Sequence, residues 1–402
     1  MPALSRRAAR WAATLPIAAL VAACGEPAAT VAPQAASTTR VVTSAEPVAT
    51  VKWNEVARGL VMKYNTSAPA TIRMFALLTV AEYNAVVGTE KAKQRSLHPV
   101  DRGAVAGASA AVLSYVYPQE AAYLEGLVDQ QETSVVHAGT RHEDFASGEA
   151  IGRTVAGGVV ERAKTDGFFA LFTGTVPTCA GCWLPTTPPA FATLGQAKTF
   201  FLASNDQFRP APPPAFDSPA YAAALAEVRH IADTRTAEQD SIAKFWALGA
   251  GTVSAQGYLN REASDLAVQY HLSERETAHR LALMNMAAYD ALVASHEAKY
   301  HYWLIRPSQA DPAIARAIPL PSFPSYPSNH SALVGSAATV LGTLFPNERA
   351  RLEAMAEVGA ISRLYAGIHY RFDTQAGLAL GRQIAAWTLA HDVVGHQPFV
   401  LE

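Results

Sequence analysis

The chain has 402 residues, half of them hydrophobic and only 16% charged, with a formal net charge of −2. That is ample material for one large core or two packed halves, and it excludes disorder for the bulk of the chain. A net charge near zero lacks the basic excess that draws a protein to phosphate backbones, so no nucleic acid is expected as a partner.

The first residues read as a targeting segment. Arg6, Arg7 and Arg10 precede or open an apolar run from Trp11 to Ala23, which ends Val21-Ala22-Ala23-Cys24. A basic start, an apolar middle and small residues before a cleavage point describe a secretory signal over residues 1–23. The ending resembles the bacterial lipobox, which implies lipidation of Cys24. Residues 24–47 are rich in Ala, Thr, Pro, Val and Ser without helical periodicity, the composition of a flexible tether. The expectation is an exported lipoprotein of the bacterial cell envelope, periplasmic or on the outer membrane, that meets a membrane only through its lipid anchor. No later stretch reaches the ~18 uninterrupted apolar residues of a spanning helix, so residues 48–402 are read as a soluble domain.

That domain is patterned for helix nearly throughout. Thr71 to Lys91 is Ala/Leu-rich, and Gly103 to Tyr117 and Glu120 to His137 continue in the same style. Cys179 and Cys182 then stand in a loop punctuated by Pro177, Gly181 and Pro185. A C-x-x-C pair can be a redox motif, half a zinc site or a local bridge; in an oxidising compartment a small structural disulfide is expected. Ser273 and Glu276 form a capping box that opens a long helix toward Lys299, with Leu281, Met284, Ala288, Ala291, Leu292 and Ser295 along one apolar face. Alternating β-branched runs with tight glycine turns are nearly absent. The expected fold is all-α, packed helical bundles, with two halves meeting near Pro214 and sharing one core.

Three segments, within residues 296–373, concentrate polar groups in apolar surroundings. The first is Lys299-Tyr300-His301-Tyr302-Trp303-Leu304-Ile305-Arg306-Pro307, and the second is Pro324-Ser325-Tyr326-Pro327-Ser328-Asn329-His330. The third runs from Ser362-Arg363 through His369 to Asp373. Ser328 is placed to start a helix after Pro327, where its hydroxyl and the following N–H groups suit an anion. Lys299, Arg306 and Arg363 offer three cations, and guanidinium forks match tetrahedral oxyanions. His369 and Asp373 are four apart, so on a helical turn the carboxylate can take the Nδ1 proton and leave Nε2 free as nucleophile or metal ligand. His330 supplies a second imidazole that can protonate a leaving oxygen.

In order and spacing, these blocks resemble the signature of the vanadium haloperoxidase and type 2 phosphatidic-acid phosphatase superfamily. Cys182-Trp183-Leu184-Pro185, Phe208-Arg209-Pro210, Arg235-Thr236-Ala237-Glu238-Gln239, Phe245-Trp246-Ala247 and Asn260 extend the likeness to the secreted, haloperoxidase-like bacterial branch. The resemblance implies a mostly helical fold with the three blocks around one pocket. It implies that His369 binds vanadium, as vanadate, or attacks phosphorus, that His330 is the acid–base group, and that Asp373 orients His369. Lys299, Arg306, Ser328, Arg363 and the backbone N–H of Asn329 are then the oxyanion ligands. One architecture serves both chemistries because five-coordinate vanadate has the shape of the phosphoryl-transfer transition state.

The sequence also departs from that pattern. Asn329 stands where the family has Gly, His296 where chloroperoxidase-type members have Trp, and Leu248 where relatives often carry an acidic residue. Phe323 resembles the aromatic found near the halide. The leading expectation is a haloperoxidase-like enzyme that uses vanadate, H₂O₂ and halide. The alternative is a periplasmic acid phosphatase that needs no cofactor and hydrolyses a phosphoester through a phosphohistidine.

Overall fold

Proline-rich loops divide long Ala- and Leu-rich runs, and the structure, a computed structural model, turns those runs into helices. It describes residues 48–401 apart from 96, 97, 186, 187, 250 and 394–396. The signal segment, the tether and Cys24 lie outside the described residues.

In chain order the helices are α1 (Ala49–Lys63), α2 (Ala68–Lys93), α3 (Asp101–Val116), α4 (Ala121–His137) and α5 (His142–Lys164), then α6 (Pro219–Thr234), α7 (Ala237–Phe245) and α8 (Ser254–Gln269). The last group is α9 (Glu274–Tyr302), the one-turn α10 (Pro307–Ala310), α11 (Asn329–Leu344), α12 (Arg349–Tyr365) and α13 (Arg371–Ala390). The fold is all-α: among the described residues there is no strand, and Cys182 and Leu304 form an isolated bridge. The helices read from the sequence at Thr71, Gly103 and Glu120 appear as α2, α3 and α4, with ends shifted by at most three residues.

The capping box at the start of α9 forms as its sequence dictates. Ser273 Oγ accepts the Glu276 N–H, and the Glu276 carboxylate accepts the Ser273 N–H at 3.0 Å. The expectation of one apolar face on α9 needs correction. Every residue from Leu281 to His296 is buried, so the helix is enclosed on all sides and acts as the central pillar. Two of its buried polar members find partners inside the protein. Asn285 exchanges hydrogen bonds with Asn260 at 2.8 and 2.9 Å, and Asp290 accepts the N–H groups of Phe200 and Phe201 at 2.8 Å. By length and composition α2 passes for a membrane span, but 94% of its apolar window is buried against its neighbours, as in a core helix. The main core draws on residues from Ala49 to Phe399, and so on both sides of Pro214.

Two features of this packing position the polar blocks. A Cβ on Gly381 would lie 2.1 Å from the Ala332 carbonyl, and one on Gly377 would lie 2.4 Å from that of Ser328. Glycine thus lets α13 touch the first turns of α11, which brings the second block against the third. The other feature is the loop closed by the Cys179–Cys182 disulfide. Trp183 donates its N–H to the Trp303 carbonyl at 2.6 Å, and Ile305 donates to Gly181 at 2.9 Å. The bridge therefore braces the short segment that joins Lys299 to Arg306. Gly181 has φ +79°, and a Cβ there would meet Phe216 at 2.6 Å, so both backbone and space require glycine.

Candidate active site

His369 and Asp373 meet as their spacing suggests, for a different local reason. His369 lies before α13, not on it, and Asp373 sits in the first turn of that helix. Its Oδ2 accepts the Tyr370 N–H at 3.1 Å, which caps the helix, and faces His369 Nδ1 at 2.8 Å. Arg306 Nη1 donates to His369 Nε2 at 2.9 Å. The imidazole is therefore the Nδ1–H tautomer, with its Nε2 lone pair turned toward the cations. Burial first, then Arg306, Lys299, Arg363 and His330, holds the His369 imidazole well below its usual proton affinity. Burial likewise pushes the Asp373 carboxyl up, against the pull of Ser325, Lys299 and Arg306.

The cations are buried around this pair. Lys299 and Arg306 are wholly inaccessible to solvent and Arg363 is 5% exposed. Lys299 Nζ donates to the carbonyls of Pro324 and Ser325 at 2.8 and 2.7 Å, so it holds the second block in place as well as supplying charge. Arg306 donates from Nε to the Phe323 carbonyl at 3.0 Å and from Nη1 to that of Ile368 at 2.8 Å, while its buried Nη2 has no protein partner. Arg363, in the last turn of α12, donates to Ser362 Oγ at 3.0 Å and to the Ala243 carbonyl at 3.3 Å. Burial lowers Arg306 to about 10 and Arg363 to about 9, and pushes Lys299 well below its usual value, helped by Arg306. Asp373 is the carboxylate that opposes the shifts of Lys299 and Arg306; burial alone acts on Arg363. Three buried cations thus share one buried carboxylate among the described residues, an imbalance that an anion would relieve.

Ser328 caps α11 as expected, with its Oγ accepting the Ser331 N–H at 3.3 Å. Its own N–H donates to the Asp373 carbonyl at 3.0 Å, tying the second block to the third. The first-turn N–H groups that follow have no acceptor within the helix. His330 comes next. The ring stands edge-on to Trp246 at 5.5 Å, and burial, then the Arg363 charge, keeps it well below its usual proton affinity. The residue as a whole is partly exposed, but its Nε2 is buried without a protein partner. Lys299, Arg306, Arg363, His330, His369 and Asp373 therefore converge on one place.

Two of the three departures from the family pattern touch each other. His296 Nδ1 lies 3.0 Å from the Leu292 carbonyl, and Asn329 Nδ2 lies 3.3 and 3.4 Å from the two ring nitrogens. The His296 ring stands edge-on to Phe323 at 5.5 Å, and Lys299 Nζ and the Arg306 guanidinium each lie 5.2 Å from that same phenyl ring. Leu248 packs at the edge of the main core with φ 39°.

Other residues of the wider likeness are placed as supports. Asn260, on α8, bonds to Asn285 of the α9 pillar, Arg209 pairs with Glu297 beside His296, and Arg235 donates to the carbonyls of Tyr365 and Ala315 at 2.8 and 2.6 Å. Sequence reasoning missed Ser325 as a site residue. Its Oγ donates to Asp373 Oδ2 at 2.5 Å, fixing the carboxylate that fixes His369. The signal was a second serine between Pro324 and Pro327, overlooked beside Ser328. Beyond Arg306, Trp183 and residues drawn from the stretch between Ser308 and Ser322 line an open cleft of about 690 Å³. A cleft of similar size, about 670 Å³, between α1 and α4 contains none of the three blocks.

Residues 280–392 match the PAP2 superfamily. No curated protein sequence matches the chain. Among solved structures, a bacterial vanadium-dependent iodoperoxidase is similar over 86% of this chain and 98% of its own, with a TM-score of 0.74 at 23% identity. A bacterial vanadium-dependent chloroperoxidase is similar at 14% identity in both its apo and holo forms, each with a TM-score of 0.66. The apo form aligns over 81% of this chain and 95% of its own, the holo form over 80% and 91%. The segment that holds all three blocks thus matches the PAP2 superfamily, and the helical scaffold that carries it has the fold of the vanadium haloperoxidases.

Proposed function

We propose that this chain is a vanadate-dependent haloperoxidase-like enzyme that oxidises halide with hydrogen peroxide. The observation that carries the reading is the His369 Nε2 lone pair, fixed by Asp373 and buried among three cations and two unpartnered polar atoms, Arg306 Nη2 and His330 Nε2. That donor set fits vanadate: one imidazole lone pair to ligate the metal, with guanidinium, ammonium and helix-start N–H groups for its oxygens. Bound there, vanadate would supply a Lewis-acidic centre that activates peroxide toward halide. The protein's own part is positional and electrostatic. Asp373 and Ser325 hold the His369 tautomer; Lys299, Arg306 and Arg363 offset the negative charge of the oxyanion; His330 gives or takes a proton at Nε2. Phe323, Phe191 and His296 form an aromatic wall beside the cage, apolar enough to limit water at that side.

The same cage supports a second reading, a phosphatase in which His369 Nε2 attacks phosphorus and no cofactor is needed. His296 in the aromatic wall favours it, because a polar ring there weakens the case for a halide pocket. The discriminating experiment assays the purified protein for halide oxidation and for phosphomonoester hydrolysis, with and without added vanadate. Activation of halide oxidation supports the peroxidase; phosphoester hydrolysis that vanadate inhibits supports the phosphatase. The substrate is a small molecule in either case.

We also propose that the enzyme is exported and lipid-anchored, on the strength of Val21-Ala22-Ala23-Cys24. Cys24→Ser should abolish metabolic labelling by a fatty acid in the bacterial host. Labelling that survives the change would sink the anchor.

A further inference from the structure

The contact between Asn329 and His296 decides what the Asn329 side chain can offer a ligand. His296 Nδ1 faces the Leu292 carbonyl at 3.0 Å, so that nitrogen carries the proton and Nε2 keeps its lone pair. The Asn329 amide turns Nδ2 toward the ring, at 3.3 and 3.4 Å from Nδ1 and Nε2, near-equal distances that set its N–H over the face of the imidazole. A ring face attracts an N–H and repels a carbonyl oxygen, which favours the amide orientation that turns Nδ2 to His296. Oδ1 is then left buried with no protein partner, on the residue between Ser328 and His330.

We propose that Asn329 makes the cage selective for tetrahedral oxyanions that carry a proton, by presenting Oδ1 as an acceptor that no protein group satisfies and that a ligand O–H can. The inference rests on the oxyanion-cage reading above and adds to it a rule of selection. An amide carbonyl repels a bare anionic oxygen, and burying it against one leaves an acceptor unsatisfied. Near neutral pH phosphate and vanadate each carry at least one O–H, whereas sulfate carries none. A site built to bind a ligand hydroxyl rejects the analogue that lacks it, because its own polar group is left unpaired. A glycine at position 329 would keep the backbone N–H for the oxyanion and offer no such acceptor. His296 acts as a positioning residue, since it occupies the amide's donor end.

The test is isothermal titration calorimetry of the purified full chain with inorganic phosphate and with inorganic sulfate, near neutral pH. The quantity compared is the phosphate-to-sulfate affinity ratio in the wild type, in Asn329→Gly and in His296→Phe, so that the different charges of the two ions cancel. The wild type should favour phosphate, and Asn329→Gly should lower the ratio by at least about tenfold, mainly through tighter sulfate binding. His296→Phe should lower it too, because the freed amide can turn its Nδ2 inward; this variant decides the matter if the glycine variant fails to fold. A ratio unchanged by these substitutions overturns the selection rule while leaving the cage intact. If the wild type binds neither phosphate, sulfate nor vanadate, the cage reading fails and the rule falls with it.

Discussion

α3 packs on α5, and α11 on α13, through glycines that let backbones touch. A Cβ on Gly152 would lie 2.0 Å from the Ala104 carbonyl, much as one on Gly381 would lie 2.1 Å from that of Ala332. Around the first contact the neighbours are Ala104, Val105, Ala108 and Ala156, buried and apolar. The second contact ends at Ser328, His330, His369 and Asp373, beneath three buried cations. Close approach in the first pair serves stability alone. In the second pair it also sets the distance between His330 and His369. The same steric device thus carries two different consequences, and substitutions can tell them apart.

The largest separation should come from His330→Ala. The oxyanion should stay bound, because Lys299, Arg306, Arg363 and the start of α11 remain, while turnover should fall ~10²–10⁴-fold, the usual worth of general acid–base help. Steady-state kinetics beside a vanadate binding isotherm checks both halves. Equal losses of binding and rate would mean that His330 serves as a ligand.

A smaller effect should distinguish the glycine contacts. Gly152→Ala and Gly377→Ala should each destabilise the fold by about 1–3 kcal/mol in urea titrations, through overpacking against a backbone carbonyl. Only Gly377→Ala should also weaken oxyanion affinity in the fraction that folds, since its Cβ would press on Ser328. If Gly152→Ala weakens binding as much, the two contacts are not functionally distinct.

The gentlest probe is pH. Burial lowers His296 to about 3 from a usual 6.5, and holds His330 and His369 well below theirs. Imidazoles whose proton affinity falls on folding favour the folded state fully above pH 6.5, and that contribution fades as pH drops from there toward 3. Thermal melts should therefore show stability falling over that window, and His296→Phe should flatten the slope. A slope unchanged in the variant would show that His296 does not carry its share.

Much of this arrangement was legible in the sequence because it depends on local spacing. The Ser273–Glu276 box, the Ser328 cap and the His369–Asp373 pair each involve residues three or four apart. Even there the spacing did not give the geometry, since His369 reaches Asp373 from outside α13. What could not be read were contacts across long separations. The Lys299 bonds to the Pro324 and Ser325 carbonyls, the Ser325 bond to Asp373 and the His296–Asn329 contact all depend on how α9, α11 and α13 come together. The enclosure of α9 belongs with them: an apolar stripe marks one buried face, but only the packed neighbours show that the other is buried too.

The central claim is that His369 is the anchor of an oxyanion cage, and a vanadate titration of the wild type against His369→Ala tests it most directly. By calorimetry the wild type should bind one vanadate per chain, and His369→Ala, which removes the one lone pair that Asp373 holds in place, should lose that affinity although all three cations remain. Undiminished vanadate binding by folded His369→Ala would contradict the account.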